Sequence, residues 1–255
     1  MTVRVGVTGA TGRMGREVIA AVDNHPECDV VFAVNREPDG ETVEGVELES
    51  ASEFDSLVDE REPTAVVDFT GPESAIEYLE ACAAADVAFV TGTTGFSDAQ
   101  EDALEDASAE IPVLHAPNFA RGVQALLNAV GEAVQNLPGY DVELVETHHN
   151  AKRDAPSGTA NRLLEEIEAN GEFTDRTHGR EGVDPREAGE IGVHALRAGN
   201  VTGEHEVVLA GNHEEVRLTH RAEDRGVFAA GAVDAAVWIA GQKAGRYEFA
   251  DVIDE

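Results

Sequence analysis

The sequence predicts an α/β protein: a doubly wound parallel sheet first, then an α+β domain built on a mixed open sheet. Three observations carry that reading. Apolar runs of strand length alternate with amphipathic helical segments through the first 119 residues, the rhythm of a parallel sheet with crossover helices. The first run leads straight into Gly9-Ala10-Thr11-Gly12-Arg13-Met14-Gly15, a glycine-rich turn that opens a helix. After Asn118 the alternation stops, and one helix precedes several strand candidates separated by loops.

Taken in order, the β-branched run at 3–8 is the first strand, and Val18, Ile19 and Val22 give 13–22 a helical apolar stripe. Residues 29–34 are the second strand. The acidic segment 37–62 interrupts the pattern and reads as a solvated peripheral insert with a short helix over 52–59. Apolar runs at 65–69 and 87–91, and a short one at 113–115, are buried strands, with helices at 74–85 and 98–109 between them. In the second part a helix covers 123–136, and strands are expected at 141–147, 191–197, 205–210 and 215–220. A Gly211-Asn212-His213 turn joins the last two. The Ala/Val-rich segment 226–240 is helical and suits the first sheet, so the boundary is discontinuous: 1–119 plus 226–255 against 120–225.

Composition narrows the function. With 255 residues and 42% apolar content the chain folds, despite 51 acidic side chains against 18 basic ones and a net charge of −33. Such a surface repels nucleic acid and anionic membranes, which bind through clustered Lys and Arg. It suits a protein kept hydrated in concentrated salt, so a halophilic cytoplasm is expected. Cys28 and Cys82 stand in no paired or ligand-like spacing, and no targeting segment or membrane-length apolar run is present. A soluble, cytoplasmic protein with no disulfide and no metal follows.

Glycines at a strand-to-helix turn let backbone approach a pyrophosphate, whose charge meets the amides of the helix start. Gly9, Ala10, Thr11, Gly12, Arg13 and Met14 are therefore candidate dinucleotide contacts, and the first domain reads as Rossmann-like, although the spacing is G-x-x-G-x-x-G. The second strand ends at Asn35-Arg36, where an acid would bind an NAD ribose. A neutral amide removes repulsion against a 2′-phosphate and a guanidinium pairs with one, so NADPH is favoured over NADH, with Arg13 a second contact. Asp68-Phe69-Thr70, Gly92-Thr93-Thr94-Gly95 and Ala116-Pro117-Asn118-Phe119 end later strands, where small residues and hydroxyls continue one cofactor groove.

The densest chemistry lies at 146–159. His148 and His149 leave a strand ending at Glu146, and neighbours there face opposite ways, one suited to substrate and the other to a carboxylate. Lys152 is one of only two lysines, with Lys243, which marks it as placed for chemistry. Ser157-Gly158-Thr159 opens a helix whose amides and hydroxyls form a carboxylate cradle, so the ligand is anionic. A zinc site lacks the ligand spacing it needs, and a purely structural histidine pair is the plainer rival.

These pieces resemble the dihydrodipicolinate reductase family over essentially the whole chain. The resemblance rests on Gly9–Gly15, Asp68-Phe69-Thr70, Gly92-Thr93-Thr94-Gly95-Phe96, Asn118-Phe119, the run from His148 to Ala160, Arg180-Glu181-Gly182, Ile191-Gly192, Arg197-Ala198-Gly199, Gly203-Glu204-His205 and Thr219-His220-Arg221-Ala222. It implies hydride transfer from NADPH or NADH to a cyclic imine dicarboxylate after loss of its 4-hydroxyl as water, in lysine and diaminopimelate synthesis. By the same carry-over His148 and Lys152 are catalytic, and His149, Lys152, Gly158 and Thr159 contact substrate, with Ser157 added from the cradle. Gly9 to Met14, Asn35, Arg36, Gly92, Thr93, Thr94, Ala116, Pro117, Asn118 and Phe119 hold the cofactor. The second domain becomes the substrate-binding and oligomerisation domain of a homotetramer. Asn35 and Arg121 depart from the family's commoner residues.

Thr8-Gly9-Ala10-Thr11-Gly12 also resembles short-chain-dehydrogenase-like proteins and their non-catalytic NADP-binding sensors. The enzymes of that group need Tyr-x-x-x-Lys, yet Tyr78, Tyr140 and Tyr247 have no lysine four residues on. A sensor remains the alternative, one that would have no use for His148 and Lys152.

Overall fold

The computed structural model describes residues 2–38 and 40–253. The chain begins with β1 (Val3–Thr8), α1 (Arg13–Asp23), β2 (Cys28–Asn35), a ribbon of β3 (Thr42–Val43) and β4 (Val46–Glu47), and β5 (Glu49–Ser50). It continues with α2 (Phe54–Arg61), β6 (Ala65–Asp68), α3 (Pro72–Ala84), β7 (Ala88–Thr91), α4 (Asp98–Ser108) and β8 (Pro112–His115). Then come α5 (Arg121–Asn136), β9 (Asp141–His148), α6 (Gly158–Asn170), β10 (Asp175–His178), β11 (Glu190–Arg197), β12 (Gly203–Gly211) and β13 (Glu214–Ala222). The last elements are α7 (Gly226–Ile239), β14 (Gly245–Tyr247) and α8 (Phe249–Ile253). Two compact units result, Met1–Ala120 with Arg225–Glu255, and Arg121–Asp224.

The first unit is a seven-stranded sheet ordered β14-β8-β7-β6-β1-β2-β5, with every neighbouring pair parallel. All residues of β6 and β7 are buried, which is why these strands read as continuous apolar runs. Helix α7 is apolar nearly all round, and its Ala229, Ala232, Val233 and Ala236 join the core on the face shared with α1. Chain order reverses between β1, which is followed outward by β2, and β6, so the switch point lies between the carboxyl ends of β1 and β6.

The acidic segment is not the solvated insert expected from its charge. Val43, Leu48, Phe54, Leu57 and Val58 are buried, the Phe54 ring meets Phe32 edge-on at 5.7 Å and Tyr78 at 4.6 Å, and β5 forms the sheet's edge beside β2. Its carboxylates occupy the outer positions while widely spaced apolar side chains close the sheet. Helix α3 starts two residues before the expected 74, because Pro72 fits the first helical position with no amide to satisfy.

The second unit is a five-stranded mixed sheet, β10-β11-β9-β12-β13, parallel up to β9 and antiparallel beyond it. Strand β9 alternates, burying Val142, Leu144, Glu146 and His148, while α5 packs on α6 and on β13. The β12–β13 hairpin turns on Asn212 and His213 alone, both at positive φ (47° and 67°), as a two-residue reverse of this twist requires. Gly211 stays in the strand opposite Glu214, against the Tyr140 ring. Among the described residues no helix is long and apolar enough to cross a membrane. Cys28 and Cys82 are free and buried.

Candidate active site

At the end of β1 the chain turns sharply on Gly9, whose φ is +61°. A Cβ there would lie 2.8 Å from Thr70 Cγ2, so glycine is required by both conformation and space. Gly15 is held to glycine because a Cβ would sit 2.3 Å from the Gly9 carbonyl oxygen. The turn therefore packs tightly onto α1, whose first amides have no intrahelical acceptors. Beside it runs a cleft of about 710 Å³ lined by Gly9, Thr11, Gly12, Asn35, Arg36 and Thr70, among others. Backbone amides at a helix start with an exposed guanidinium at the far end fit a phosphorylated dinucleotide.

Not every expected cofactor residue lines that cleft. Ala10 is buried with its amide bonded to the Val34 carbonyl (3.1 Å), and Met14 packs on the core. Ala116 and Phe119 are core residues, Phe119 stacking edge-on with Phe69 (5.6 Å) and Phe249 (5.3 Å). Gly92 lies against the Phe69 ring, and the Asn118 side chain accepts from the Ala120 amide (2.8 Å). Arg13, Thr94 and Pro117 are exposed beside these elements. Several of the residues singled out at the strand ends thus form the floor beside the cleft and do not line it.

That floor contains Asp68, which the sequence marks only as part of a strand-end motif. Asp68 is fully buried, and its carboxylate accepts hydrogen bonds from the hydroxyls of Thr8 (2.7 Å), Thr70 (2.6 Å), Thr91 (2.8 Å) and Thr93 (2.7 Å). Thr93 is thus turned inward. Four hydroxyls satisfying one carboxylate tie the ends of β1, β6 and β7 together at the switch point.

In the second unit β9 runs one residue past the expected 141–147, so His148 is its last residue and His149 the first beyond it. His148 is buried, and it is the histidine that meets a carboxylate: Nδ1 lies 2.5 Å from Glu146 Oε2. Arg197, opposite His148 in the parallel register, grips both oxygens of Glu146 at 2.8 Å. Lys152 is half-buried in the following turn and pairs with Asp154 at 2.9 Å. His149 is half-buried beside it, Gly158 is exposed at the start of α6 and Thr159 is half-buried.

Ser157 has a different role from the one expected. Its amide donates to Glu146 Oε1 (3.1 Å), and its hydroxyl accepts from the Ala160 amide (3.2 Å) and meets His205 Nε2 (2.9 Å). Being buried and committed inside the unit, it caps α6. Glu146, Arg197 and His205 had no assigned role in the sequence; the Arg197 and Gly203-Glu204-His205 motifs were the available signal.

Burial is the largest influence on His148 and, with Lys152 and Arg197, holds its pKa below the ordinary histidine value, against the pull of Glu146. Burial pushes Glu146 up, but hydrogen bonds from Arg197 and His148 outweigh it and keep the group ionised. Burial, with His148 beside it, pushes His205 down to about 3. Between that value and 6.5 the unfolded chain binds a proton that the folded chain does not. The His205 contribution is complete above pH 6.5 and is lost as pH falls toward 3, at up to about 1.4 kcal/mol per unit. Thermal melts at constant KCl should show that slope, reduced in His205→Asn; an unchanged slope would contradict it.

Comparison with known proteins places both parts of the chain in one family. The family described as dihydrodipicolinate reductase, N-terminus, matches residues 3–119, and its C-terminal counterpart matches residues 122–253. The 4-hydroxy-tetrahydrodipicolinate reductase of Natronomonas pharaonis is 52% identical over 250 residues, covering 98% of this chain and 99% of the relative. That of Haloarcula marismortui is 50% identical over 251 residues, with 98% and 99% covered. A dipicolinate-bound dihydrodipicolinate reductase from Paenisporosarcina sp. TG-14 superposes with a TM-score of 0.79 at 25% identity, covering 97% of this chain and 98% of that one. The sensor alternative loses its ground, because the half that carries His148 and Lys152 matches a reductase as fully as the half that carries the glycine turn. With both halves accounted for and two relatives 50% and 52% identical along nearly the full length, the chain belongs to the dihydrodipicolinate reductase family.

Proposed function

We propose that the protein reduces 4-hydroxy-tetrahydrodipicolinate to tetrahydrodipicolinate with NADPH or NADH, releasing water, as a step of lysine and diaminopimelate synthesis. One observation carries the reading: a buried His148, braced through Nδ1 by Glu146, stands four residues before a half-buried Lys152. The first unit is the dinucleotide-binding domain and the second the substrate-binding and oligomerisation domain. Bound nicotinamide would supply the hydride, and Gly9, Thr11, Gly12, Asn35 and Arg36 would hold its dinucleotide.

The rest is the work of side chains. Lys152 offsets the negative charge that hydride addition puts on the ring, and the Gly158 and Thr159 amides bind a substrate carboxylate. His148, neutral near pH 7, takes a proton from solvent at Nε2 and gives it to the reduced ring. With the hydride and the loss of the 4-hydroxyl as water, the sum is one hydride and one proton gained and one water lost. His149 lies within the same turn as a further contact. A coupled assay with freshly made synthase product, following NADPH absorbance in high salt, tests the reading; no oxidation would defeat it.

Arg36 is exposed at the cleft end, where it suits a 2′-phosphate. Arg36→Glu should raise KM for NADPH about tenfold or more, the worth of one charge-assisted hydrogen bond, and spare NADH. Equal effects on both cofactors would remove the preference for NADPH. A homotetramer is proposed through the mixed sheet, whose face opposite α5 and α6 carries Val145, Thr147 and the exposed Leu196. Native mass in high salt tests it, and a monomer would rule it out.

A further inference from the structure

Glu146 is fully buried, and all four of its acceptor positions are taken. Oε2 accepts from His148 Nδ1 at 2.5 Å and from one Arg197 nitrogen at 2.8 Å. Oε1 accepts from the other Arg197 nitrogen at 2.8 Å and from the Ser157 amide at 3.1 Å. Arg197 is anchored in turn by the Asp154 carbonyl (2.6 Å), so the carboxylate is clamped from β11, from the loop before α6 and from its own strand. Arg197 and the Ser157 amide can only donate, so the carboxylate between them acts as acceptor. The nitrogen of His148 that faces it must therefore carry the proton.

The opposite side of the imidazole is shaped as narrowly. A Cβ on Gly203 would lie 3.1 Å from His148 Nε2, a tight contact that the first residue of β12 avoids by having no side chain. The His205 ring stands edge-on to His148 at 5.1 Å, with its Nε2 tied to the Ser157 hydroxyl. Imidazole rotation about χ2 would lose the Glu146 bond and gain no other acceptor among these neighbours. A buried carboxylate beside a histidine that moves protons has two effects: it selects one tautomer, and it stabilises the imidazolium that forms transiently.

We infer that Glu146 is the positioning residue of this site, clamped by Arg197 so that His148 keeps its proton on Nδ1 and presents Nε2 for proton transfer. The inference deepens the proposed reductase reading and rests on it for the role of His148. The charged and titratable groups around the imidazole are Glu146 on its own strand, Arg197 on β11, Lys152 in the following turn and His205 on β12. Of these only Glu146 favours the protonated ring. Removing its charge therefore moves the acid limb of the rate profile to lower pH as well as slowing turnover.

The test uses the full chain in high salt. In 15N-histidine-labelled protein, long-range 15N–1H spectra should show His148 as the Nδ1–H tautomer, identified by its absence in His148→Gln. In Glu146→Gln, which keeps the volume but offers donors toward Arg197 and the imidazole, the Nε2–H form should appear. Turnover should fall by about 100-fold or more, in the range of general acid–base contributions, with the dissociation constant for NADPH unchanged. Glu146→Asp should recover part of the turnover and the Nδ1–H form. If Glu146→Gln does not fold, Glu146→Asp and Arg197→Lys give the same two readings in weaker form. An unchanged tautomer with unchanged turnover in folded variants overturns the inference. A wild-type chain that oxidises no NADPH would instead overturn the reductase reading, while the tautomer measurement would still judge Glu146.

Discussion

Replacing His148 by glutamine should lower kcat by about 10²- to 10⁴-fold, the span over which a positioned proton-transfer group acts. Stopped-flow NADPH oxidation at saturating substrate measures it. Glutamine approximates the reach of histidine but does not exchange a proton near neutral pH. The substitution also removes one of four donors to Glu146, yet the Arg197 fork and the Ser157 amide remain, so the carboxylate is not abandoned in the interior. The fold should therefore persist and NADPH affinity, assigned to the first unit under the proposed function, should not change. On the proposed mechanism Lys152 would still offset developing charge and leave a residual rate. A variant within a factor of about three of wild type would remove His148 from the proton path, since general acid–base groups contribute at least about 10².

Diluting KCl from about 3 M to about 0.1 M should unfold the protein, because the screening length grows from a few ångströms to roughly 10 Å. The chain carries 51 acidic and 18 basic side chains, so 33 carboxylates have no basic partner even if every cation is paired. Several ion pairs that exist are exposed, such as Arg16–Glu41 and Arg217–Glu215, and contribute little individually. At low salt the carboxylates of the surface repel one another across the whole unit. Far-ultraviolet circular dichroism and the fluorescence of Trp238, the one tryptophan, which stacks edge-on with Tyr247, follow the change. An unaltered spectrum and melting temperature at low KCl would contradict a halophilic adaptation.

Local features were legible in the sequence. The strand, glycine turn and helix at Val3–Asp23 are contiguous, and the rare lysine at 152 stands out against an acidic background. What escaped depends on register. Glu146 and Arg197 are 51 residues apart and meet because β9 and β11 pair in parallel with Arg197 opposite His148. Thr8, Thr70, Thr91 and Thr93 converge on Asp68 only once β1, β6 and β7 lie side by side. Ser157 was assigned outward from its position at a helix start, though the same hydroxyl can cap the helix and face the interior. The acidic segment was misjudged by its charge, since five apolar side chains among many carboxylates have no clear period. Strands β10 and β14 are short edge strands with too few residues to show alternation.

The order in which the sheet of the first unit is filled has a consequence for synthesis. A ribosome that has delivered the first 120 residues has made six of its seven strands, but neither β14 nor α7. Ala229, Ala232, Val233 and Ala236, which complete the core beside α1, β6 and β7, arrive more than one hundred residues later. Until then the nascent sheet keeps an uncovered apolar face, so the unit that starts first is the one that finishes last. The intervening residues 121–224 form a self-contained sheet and can fold while the earlier one waits.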